Sequence, residues 1–357
     1  MNPQHREVVV IGGGQAGLAV GHFLARQGRD FTILEAADRA GAAWRDRWDS
    51  LRLFTPARYD SLPGTPFPGD PEHYPTRDEV VEYLTGYAAD LPVELGSRVR
   101  HVRTGERSYV VELDDRTFRA DQIVVATGPF QTPRVPRMAS DLSPTVAQLH
   151  SAAYRNPSQI PAGRVLVVGG GNTGYQIAEE LSGTHDVHLS IGSNQKPLPQ
   201  RILGRDIFRF LDAAGALTKT ADTRIGHRMK SSDTLIGSSP RAARRRGIQL
   251  HPRTERVEGC SVTFSDGRTI EVATVVWATG FELDHAWIDV PVFDAAGTVM
   301  QRRGVTPAPG FYFLGLPWMH SRGSALLGWV KDDAEYVADR ILEFAGPAAT
   351  VGRALAA

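Results

Sequence analysis

The chain is 357 residues long and carries 40 basic and 40 acidic residues, so its formal net charge at pH 7 is zero. That balance gives no reason to expect binding to nucleic acid or to an acidic membrane surface. The single cysteine, Cys260, excludes an internal disulfide and a redox centre built on two thiols.

The first predicted elements are a strand, a glycine loop and a helix. The apolar run Val8–Ile11 has the length and β-branched content of a buried strand and leads directly into the loop. The pattern Gly-x-Gly-x-x-Gly allows a tight turn, the approach of a pyrophosphate to the backbone, and close packing of helix against strand. The loop residues expected to contact a dinucleotide are Gly12, Gly14, Gln15, Ala16 and Gly17.

The next predicted strand, Phe31–Leu34, ends in an acid. Glu35 lies about 20 residues beyond the loop, where a carboxylate accepts hydrogen bonds from a ribose diol. A glycine turn alone could serve only to pack a helix tightly. Strand, loop, helix, second strand and terminal acid in register make that interpretation improbable, and they predict a dinucleotide-binding unit.

The same elements recur in the middle of the chain. A second apolar run, Val165–Val168, leads into a second Gly-x-Gly-x-x-Gly loop and a helix that continues through Leu181. The residues of this loop expected to contact a dinucleotide are Gly169, Gly171, Asn172, Thr173 and Gly174.

The second copy lacks the terminal acid. Its next strand, Val187–Ile191, is followed by Gly192. An acid there would repel the extra phosphate of NADPH, but no arginine follows the strand directly to bind that phosphate. Basic residues come only later, at Lys196, Arg201 and Arg205. The sequence therefore leaves NADH and NADPH open, and we expect the two to differ only modestly as reductants.

The repetition extends beyond the loops. Each loop is followed, after a similar interval, by a hairpin-like pair of strands and then by an Ala-Thr-Gly motif. The motif residues expected near the nucleotides are Thr127 and Gly128 in the first copy, and Thr279 and Gly280 in the second. Two glycine turns that were alike by chance would not share these further elements. The chain is therefore expected to bind two dinucleotides.

We predict an α/β fold with two Rossmann-like dinucleotide-binding domains, the second inserted into the first. The first domain comprises residues 1–130 and 278–357, and the second comprises residues 164–277. A proline-punctuated connecting segment, residues 131–163, joins them. The stretch at about 198–247 makes the second domain longer than a plain Rossmann-like domain requires. Apolar residues there suggest helices that cover the cleft between the domains: Ile207, Phe208, Leu211 and Leu217.

With these motifs in place, the chain resembles the small bacterial flavin-containing monooxygenases, over nearly its whole length. The resemblance implies that the first domain binds FAD and the second NAD(P)H, with the catalytic cleft between them. The segment around Gly41-Ala-Ala-Trp44 and the stretch from Trp48 to Pro56 resemble family segments that contact the flavin. The further FAD contacts that the resemblance implies are Trp44, Leu53, Thr55, Val99, Gly315 and Ala325.

The chain departs from the family pattern at two places. The family's identifying motif survives only as His150-Ser-Ala-Ala-Tyr154, in which we expect His150 to be a hydrogen-bonding residue at a hinge rather than an acid or base. Phe54 stands where many members carry an asparagine beneath the flavin, which puts the efficiency of oxygenation in doubt. With Phe54, the residues predicted to face the catalytic cleft are His320 and Arg322.

The activity implied by the resemblance is that of an FAD-dependent NAD(P)H:O₂ monooxygenase. NAD(P)H reduces FAD by hydride transfer, and a C4a-hydroperoxyflavin oxygenates a soft nucleophile such as a sulfide or an amine. Its partners would be a small-molecule substrate and O₂. Two alternatives stay open: an NAD(P)H-dependent flavin reductase or oxidase without oxygen transfer, and a non-catalytic nucleotide-sensing subunit.

Location and assembly are less constrained. No apolar run reaches the length of a membrane span, and no leader-like segment precedes the first strand, so we expect a cytoplasmic protein without membrane insertion. The histidines lack the spacing of metal ligands, so no metal site is predicted. A homodimer is compatible with the sequence.

Overall fold

A computed structural model describes residues 3–193, 196–230 and 234–345 of the chain. Its α-helices are α1 (Gln15–Arg26), α2 (Ala42–Arg45), α3 (Arg77–Ala88), α4 (Asn172–Leu181), α5 (Ile207–Ala213), α6 (Arg224–Lys230), α7 (Pro240–Arg245) and α8 (Val330–Ala345). Its strands are β1 (Gln4–Ile11), β2 (Phe31–Leu34), β3 (Val93–Glu94), β4 (Val99–Thr104), β5 (Tyr109–Leu113), β6 (Thr117–Val125), β7 (Thr132–Pro133), β8 (Ala147–His150), β9 (Arg164–Val168), β10 (Asp186–Ser190), β11 (Lys196–Leu198), β12 (Arg201–Ile202), β13 (Arg205–Asp206), β14 (Thr234–Ile236), β15 (Gln249–His251), β16 (Thr254–Glu258), β17 (Ser261–Phe264), β18 (Thr269–Glu271), β19 (Thr274–Trp277), β20 (Phe281–Glu282), β21 (Ile288–Asp289) and β22 (Phe311–Phe313).

The first sheet has the strand order β21-β4-β5-β6-β1-β2-β3, and β22 also pairs with β6. At its centre β1 is parallel to β2 and β6, so that Ile11 pairs with both Leu34 and Val125. Alternate residues of β1 face opposite cores: Val8 and Val10 pack with α1 and α8, whereas Val9 and Ile11 pack beside β22. Both faces are covered, which explains the unbroken apolar run of this strand.

The second sheet is parallel throughout, with the order β15-β10-β9-β19-β8, and its strands lie in the chain between β6 and β21 of the first sheet. In its register Val168 pairs with both Ser190 and Trp277. The two sheets therefore share the same arrangement of central strands. In each sheet, the glycine loop, the end of the next strand and the Ala-Thr-Gly turn lie at one edge. This is the predicted α/β architecture of two Rossmann-like units.

The stretch predicted as a helical insertion contains short strands and the helices α5 to α7, and it packs against the first unit. Phe208 of α5 is fully buried and stacks on Phe54, with ring centroids 5.8 Å apart. Asp206 caps α5 by accepting from the Phe208 N–H, and its other oxygen accepts hydrogen bonds from Tyr74 Oη (2.5 Å) and Gln200 Nε2 (2.7 Å). The insertion is thus held to the first unit by aromatic packing on Phe208 and by the hydrogen bond from Tyr74 to Asp206.

A buried histidine pair lies in the second sheet. His188 Nδ1 and His251 Nε2, on the adjacent strands β10 and β15, are 2.7 Å apart, and both residues are buried. One ring must donate and the other accept, so the contact needs the accepting ring to be neutral and is lost when both rings are protonated. Burial and the neighbouring His188 lower the pKa of His251 to about 4, and burial also lowers the pKa of His188 although Asp186 opposes it.

We predict that this pair makes the protein sensitive to mild acid. An unfolded histidine has a pKa of about 6.5, so between about pH 6.5 and 4 the unfolded chain binds protons that the folded chain does not, and stability falls as pH falls. Relative to pH 7.5, the free energy of unfolding should lose about 2 kcal/mol at pH 5 from His251. Urea unfolding at both pH values tests this, with His251→Gln as the control that keeps a hydrogen-bonding side chain. An equal loss in both proteins would contradict the assignment.

Candidate active site

The first glycine loop is tightly packed on its protein side and open on the other. A Cβ at Gly17 would lie 1.9 Å from the Gly12 carbonyl oxygen, and one at Gly12, where φ is +111°, would lie 2.6 Å from the Ala126 oxygen. At Gly14 a Cβ would meet no atom within 4 Å. Only glycine fits the first two positions, and the backbone at Gly14 faces free space. This is the cradle that a pyrophosphate requires at the start of α1.

That free space belongs to a cavity of about 490 Å³. Most of the residues predicted to contact FAD line it: Gly12, Gly14, Gln15, Ala16, Glu35, Trp44, Val99, Thr127, Gly128 and Gly315. Gly17 instead packs the loop, and Leu53, Thr55 and Ala325 are not among the lining residues. The indole Nε1 of Trp44 donates to Gln15 Oε1 at 3.2 Å, which ties the tryptophan segment to the glycine loop. A cradle, a carboxylate and an aromatic wall in one cavity fit FAD.

Glu35 is held at the end of β2 by two backbone groups. Its Oε2 accepts from the Gly13 N–H at 2.7 Å, and its Oε1 accepts from the Ala37 N–H at 2.9 Å. The carboxylate therefore lies against the glycine loop and lines the cavity, as expected for a ribose-binding acid.

We predict that Glu35→Ala weakens FAD retention. The substitution removes the acceptor for two backbone N–H groups as well as the proposed ribose contact, and a loss of roughly 1–3 kcal/mol corresponds to an affinity weaker by about 5- to 150-fold. Flavin titration of the apoprotein measures the change. Glu35→Gln, which keeps one acceptor oxygen, should lie between the two proteins. Unchanged flavin affinity in Glu35→Ala would remove this residue from the site.

The second glycine loop repeats the geometry of the first. A Cβ at Gly174 would lie 1.8 Å from the Gly169 oxygen, and one at Gly169, where φ is +126°, would lie 2.1 Å from the Ala278 oxygen. Gly171 again faces free space. Asn172 Oδ1 accepts from the Ile236 N–H at 3.0 Å and so links the start of α4 to the insertion. Thr173 follows in the first turn of α4. This loop fits a second dinucleotide, NAD(P)H.

Sequence reasoning missed a cation beside the second loop. Arg253 lies beyond β15, and its Nη2 donates to the Gly192 carbonyl oxygen at 2.7 Å. Gly192 follows β10 at the position where a coenzyme ribose is expected. Arg253 is distant from Gly192 in the sequence. The parallel register of β10 and β15, in which Ser190 pairs with His251, places Arg253 beside Gly192. An arginine is therefore present at this strand end, although it comes from a neighbouring strand.

The chain passes between the two units twice, through β7 and again through β20, and these two connections are held together. Strands β7 and β20 pair, Thr279 Oγ1 donates to the Arg134 carbonyl oxygen, and the Gly280 oxygen accepts from His150 Nε2 at 3.0 Å. His150 Nδ1 accepts from the Ala152 N–H, and burial lowers the pKa of His150. With both ring nitrogens engaged and the neutral form favoured, His150 holds the connection in position.

Arg47 was also missed. Its guanidinium lies over the rings of Phe130 (4.5 Å) and Phe281 (5.3 Å), one from each connection, and it lines the large cavity. Burial lowers the pKa of Arg47, and the positive charge of Arg155 lowers it further. A half-buried cation thus joins both connections at the edge of the predicted FAD site.

The three residues predicted to face the catalytic cleft are not all together. Phe54 and Arg322 line a second, smaller cavity, whereas His320 is not among its lining residues. The His320 carbonyl oxygen instead accepts from the Ala221 N–H at 2.8 Å, which joins the insertion to the closing segment of the first unit.

Asp60 is a buried carboxyl that sequence reasoning did not select. It is 1% exposed, and Oδ1 accepts a hydrogen bond from Thr55 Oγ1 at 2.6 Å. Burial raises the pKa of Asp60 to about 8, against a smaller opposing effect of that hydrogen bond. Asp60 is therefore neutral at pH 7 and fixes the side chain of Thr55, one of the predicted flavin contacts.

Comparison with known proteins agrees with this geometry. A family model described as pyridine nucleotide-disulphide oxidoreductase matches residues 9–202. The CzcO-like oxidoreductase of Geobacillus kaustophilus is 44% identical over 341 residues, which cover 94% of this chain and 98% of the relative. The indole-3-pyruvate monooxygenase YUCCA1 of Oryza sativa subsp. japonica is 28% identical, with 84% and 82% covered. The structure of a flavin-containing monooxygenase from Stenotrophomonas maltophilia superposes with a TM-score of 0.82 at 29% identity, covering 96% of this chain and 100% of that one.

The fold and the two loops thus define a flavoprotein oxidoreductase that uses FAD and NAD(P)H. The chain belongs to the pyridine nucleotide-disulphide oxidoreductase family, and the predicted resemblance to flavin-containing monooxygenases within it is confirmed. Because Cys260 is the single cysteine of the chain, electrons cannot pass through a cysteine pair within it as they do in disulfide reductases.

Among the residues that the structure describes, no helix is both long and apolar enough to cross a membrane. Within the same residues, no group of three or more histidine, cysteine, aspartate or glutamate side chains is arranged to hold a metal ion.

Proposed function

We propose that this enzyme is an FAD-dependent NAD(P)H:O₂ monooxygenase that oxygenates a soft nucleophile, a sulfide or an amine. The observation that carries the proposal is the pair of matched glycine cradles, one in each unit, on either side of joined connections. The monooxygenase relatives support the oxygen-transfer step. A cytoplasmic location and a homodimer stay predictions.

The chain's own groups bind, orient and exclude water. FAD, when bound, supplies the hydride acceptor and the ring that activates oxygen. The first cradle and Glu35 would hold its pyrophosphate and ribose, and Trp44 would form one wall of its cavity. The second cradle would hold the coenzyme pyrophosphate, with Gly280 fixed by His150. The half-buried Phe54 stacks on the buried Phe208, and the two rings would form an apolar wall where the insertion meets the first unit.

Arg253 supports a modest preference for NADPH. The planar guanidinium can donate two parallel hydrogen bonds to the oxygens of a phosphate, but this one is exposed and already donates to Gly192, so we expect NADPH to be favoured only about tenfold. Arg253→Ser should raise the KM for NADPH about tenfold and leave the KM for NADH unchanged. Steady-state kinetics with both coenzymes measure this. An equal rise with both would show that Arg253 does not contact the extra phosphate.

The reaction itself has a balance that can be tested. A sulfide, O₂, NAD(P)H and a proton should give a sulfoxide, water and NAD(P)⁺, with one atom of O₂ in the sulfoxide and the other in water. Turnover of thioanisole under ¹⁸O₂ should give labelled sulfoxide in proportion to NAD(P)H consumed. Hydrogen peroxide equal to the NAD(P)H consumed, without sulfoxide, would instead identify a flavin reductase or oxidase.

A further inference from the structure

Ser190 is a buried polar residue at the end of β10, in the second unit. In the first unit, the Gly12 N–H donates to the Leu34 carbonyl oxygen at 2.8 Å. In the second unit, the Gly169 N–H donates to the Ser190 carbonyl oxygen at 3.0 Å, so Ser190 has the position of Leu34. Only 2% of Ser190 and 1% of Leu34 are exposed. A buried hydroxyl is costly unless it is hydrogen-bonded, so the serine needs partners that the leucine does not.

The partners of the Ser190 hydroxyl all belong to residues 252–254, the segment between β15 and the start of β16. Ser190 Oγ donates to the Pro252 carbonyl oxygen at 3.0 Å. It accepts from the Thr254 N–H at 3.0 Å and from Thr254 Oγ1 at 2.9 Å. A hydroxyl has one donor and two acceptor sites, so all three are used. The serine therefore ties both ends of this segment to β10, and Arg253 lies between those ends.

Arg253 is fixed at its backbone and exposed at its guanidinium. Its carbonyl oxygen accepts from the Ser265 N–H at 2.8 Å. Its Nη2 donates to the Gly192 carbonyl oxygen at 2.7 Å, and a Cβ at Gly192 would lie 3.5 Å from Arg253 Cζ, so the guanidinium packs against the Gly192 backbone. A guanidinium has five N–H donors, so the bond to Gly192 leaves others for a ligand.

The corresponding strand ends of the two units carry opposite charges. By the backbone match described above, Ile191 has the position of Glu35, the acid that lines the predicted FAD cavity. The second unit thus has an apolar side chain in place of the carboxylate, and Arg253 contacts the next residue, Gly192. A carboxylate at this place favours a ribose with a free 2′-hydroxyl, whereas a guanidinium favours a 2′-phosphate.

We propose that Ser190 is a positioning residue for coenzyme choice: its hydroxyl holds residues 252–254 so that Arg253 stands where the 2′-phosphate of NADPH would bind. The inference rests on the proposed function, which assigns the NADPH preference to Arg253. Ser190 itself is buried and would not touch the coenzyme. Without the hydroxyl, the segment loses three hydrogen bonds and keeps the one from Ser265. The guanidinium is then less well ordered before binding, and ordering it weakens the affinity for the phosphate.

The test is equilibrium binding to the oxidised holoenzyme, measured by isothermal titration calorimetry. The probes are adenosine 2′,5′-bisphosphate and 5′-AMP, which differ only in the 2′-phosphate. The unsubstituted protein should bind the bisphosphate about tenfold more tightly than 5′-AMP. Arg253→Ser should remove this difference, and Ser190→Ala should reduce it to about threefold, because the bond from Ser265 remains. Binding of 5′-AMP should change by less than about twofold in both variants.

Two further variants separate positioning from a general effect on the fold. Ser190→Ala combined with Arg253→Ser should bind the bisphosphate as Arg253→Ser alone does, because a positioning residue has no effect once the group that it positions is absent. Thr274→Val is the matched control. It removes a fully buried hydroxyl from β19 of the same sheet, whose Oγ1 has no hydrogen-bond partner among the described residues, and should preserve the difference between the probes.

An undiminished difference in Ser190→Ala, or a further loss when it is added to Arg253→Ser, would overturn the proposal. If Ser190→Ala does not fold, Thr254→Val decides: it removes one of the three hydrogen bonds and should lower the difference in the same direction. No effect of Arg253→Ser would reject the NADPH assignment and the role of Ser190 together. Binding is measured without turnover, so peroxide release in place of sulfoxide would reject the monooxygenase and leave the role of Ser190 standing.

Discussion

Gly17→Ala should give a folded protein that does not retain FAD. The added Cβ would lie 1.9 Å from the Gly12 oxygen and 3.1 Å from the Gly12 carbon, which are both backbone atoms. The loop must open to admit it, and opening displaces the N–H groups that face the cavity. Overpacking of this kind costs about 1–3 kcal/mol in stability, and FAD affinity should fall at least about 100-fold because the cradle itself is deformed. Visible absorbance after gel filtration and FAD titration of the apoprotein measure the loss.

A matched control exists in the same unit. Gly86 lies on the exposed face of α3, and a Cβ there would meet no atom within 4 Å. Gly86→Ala should keep its yellow colour and gain up to about 1 kcal/mol in stability. Full flavin occupancy in Gly17→Ala, at the level of this control, would show that the first loop does not hold FAD.

Gly174→Ala should separate the two nucleotides. Its Cβ would lie 1.8 Å from the Gly169 oxygen, so the second loop must open as the first does in Gly17→Ala. The variant should purify with FAD bound and be reduced by dithionite. Its reduction by NAD(P)H at subsaturating coenzyme should slow at least about 100-fold, because the coenzyme pyrophosphate loses its cradle. Anaerobic bleaching of the flavin measures the rate.

The control for this variant is Gly183→Ala, at the end of α4. There a Cβ would make an ordinary contact, 3.6 Å from the Glu180 oxygen, and bleaching by NAD(P)H should be unchanged. Loss of FAD from Gly174→Ala, with normal reduction of whatever flavin remains, would mean that the two loops were assigned in the wrong order.

The sequence predicts those parts of the site whose residues are close together in the chain. In each unit, a strand, a glycine loop and a helix are contiguous, and their spacing alone predicts a pyrophosphate cradle. The turn at Asp266-Gly267 likewise predicts the pairing of β17 with β18, which the structure contains. Glu35 could be selected because it follows its strand directly, so that no distant part of the chain was needed to place it.

The residues that were missed depend on contacts between distant parts of the chain. Arg253 reaches Gly192 only through the register of β10 and β15. Arg47 lies between Phe130 and Phe281 only because the two connections pair. In the sequence, Phe54 is noticeable only as a departure from a family pattern. In the structure it stacks on Phe208, which the insertion brings against it. No periodicity or spacing in the sequence identifies side chains that are positioned by contacts between distant parts of the chain.

Rapid mixing tests the central claim, that one loop holds the electron carrier, the other holds the donor, and the electrons are used for oxygen transfer. Enzyme reduced anaerobically by NAD(P)H is mixed with oxygenated buffer while the flavin spectrum is followed. We expect a transient spectrum, distinct from both reduced and oxidised flavin, whose lifetime shortens when thioanisole is present. Direct return to oxidised flavin, with one hydrogen peroxide released for each NAD(P)H and no effect of the sulfide, would contradict it.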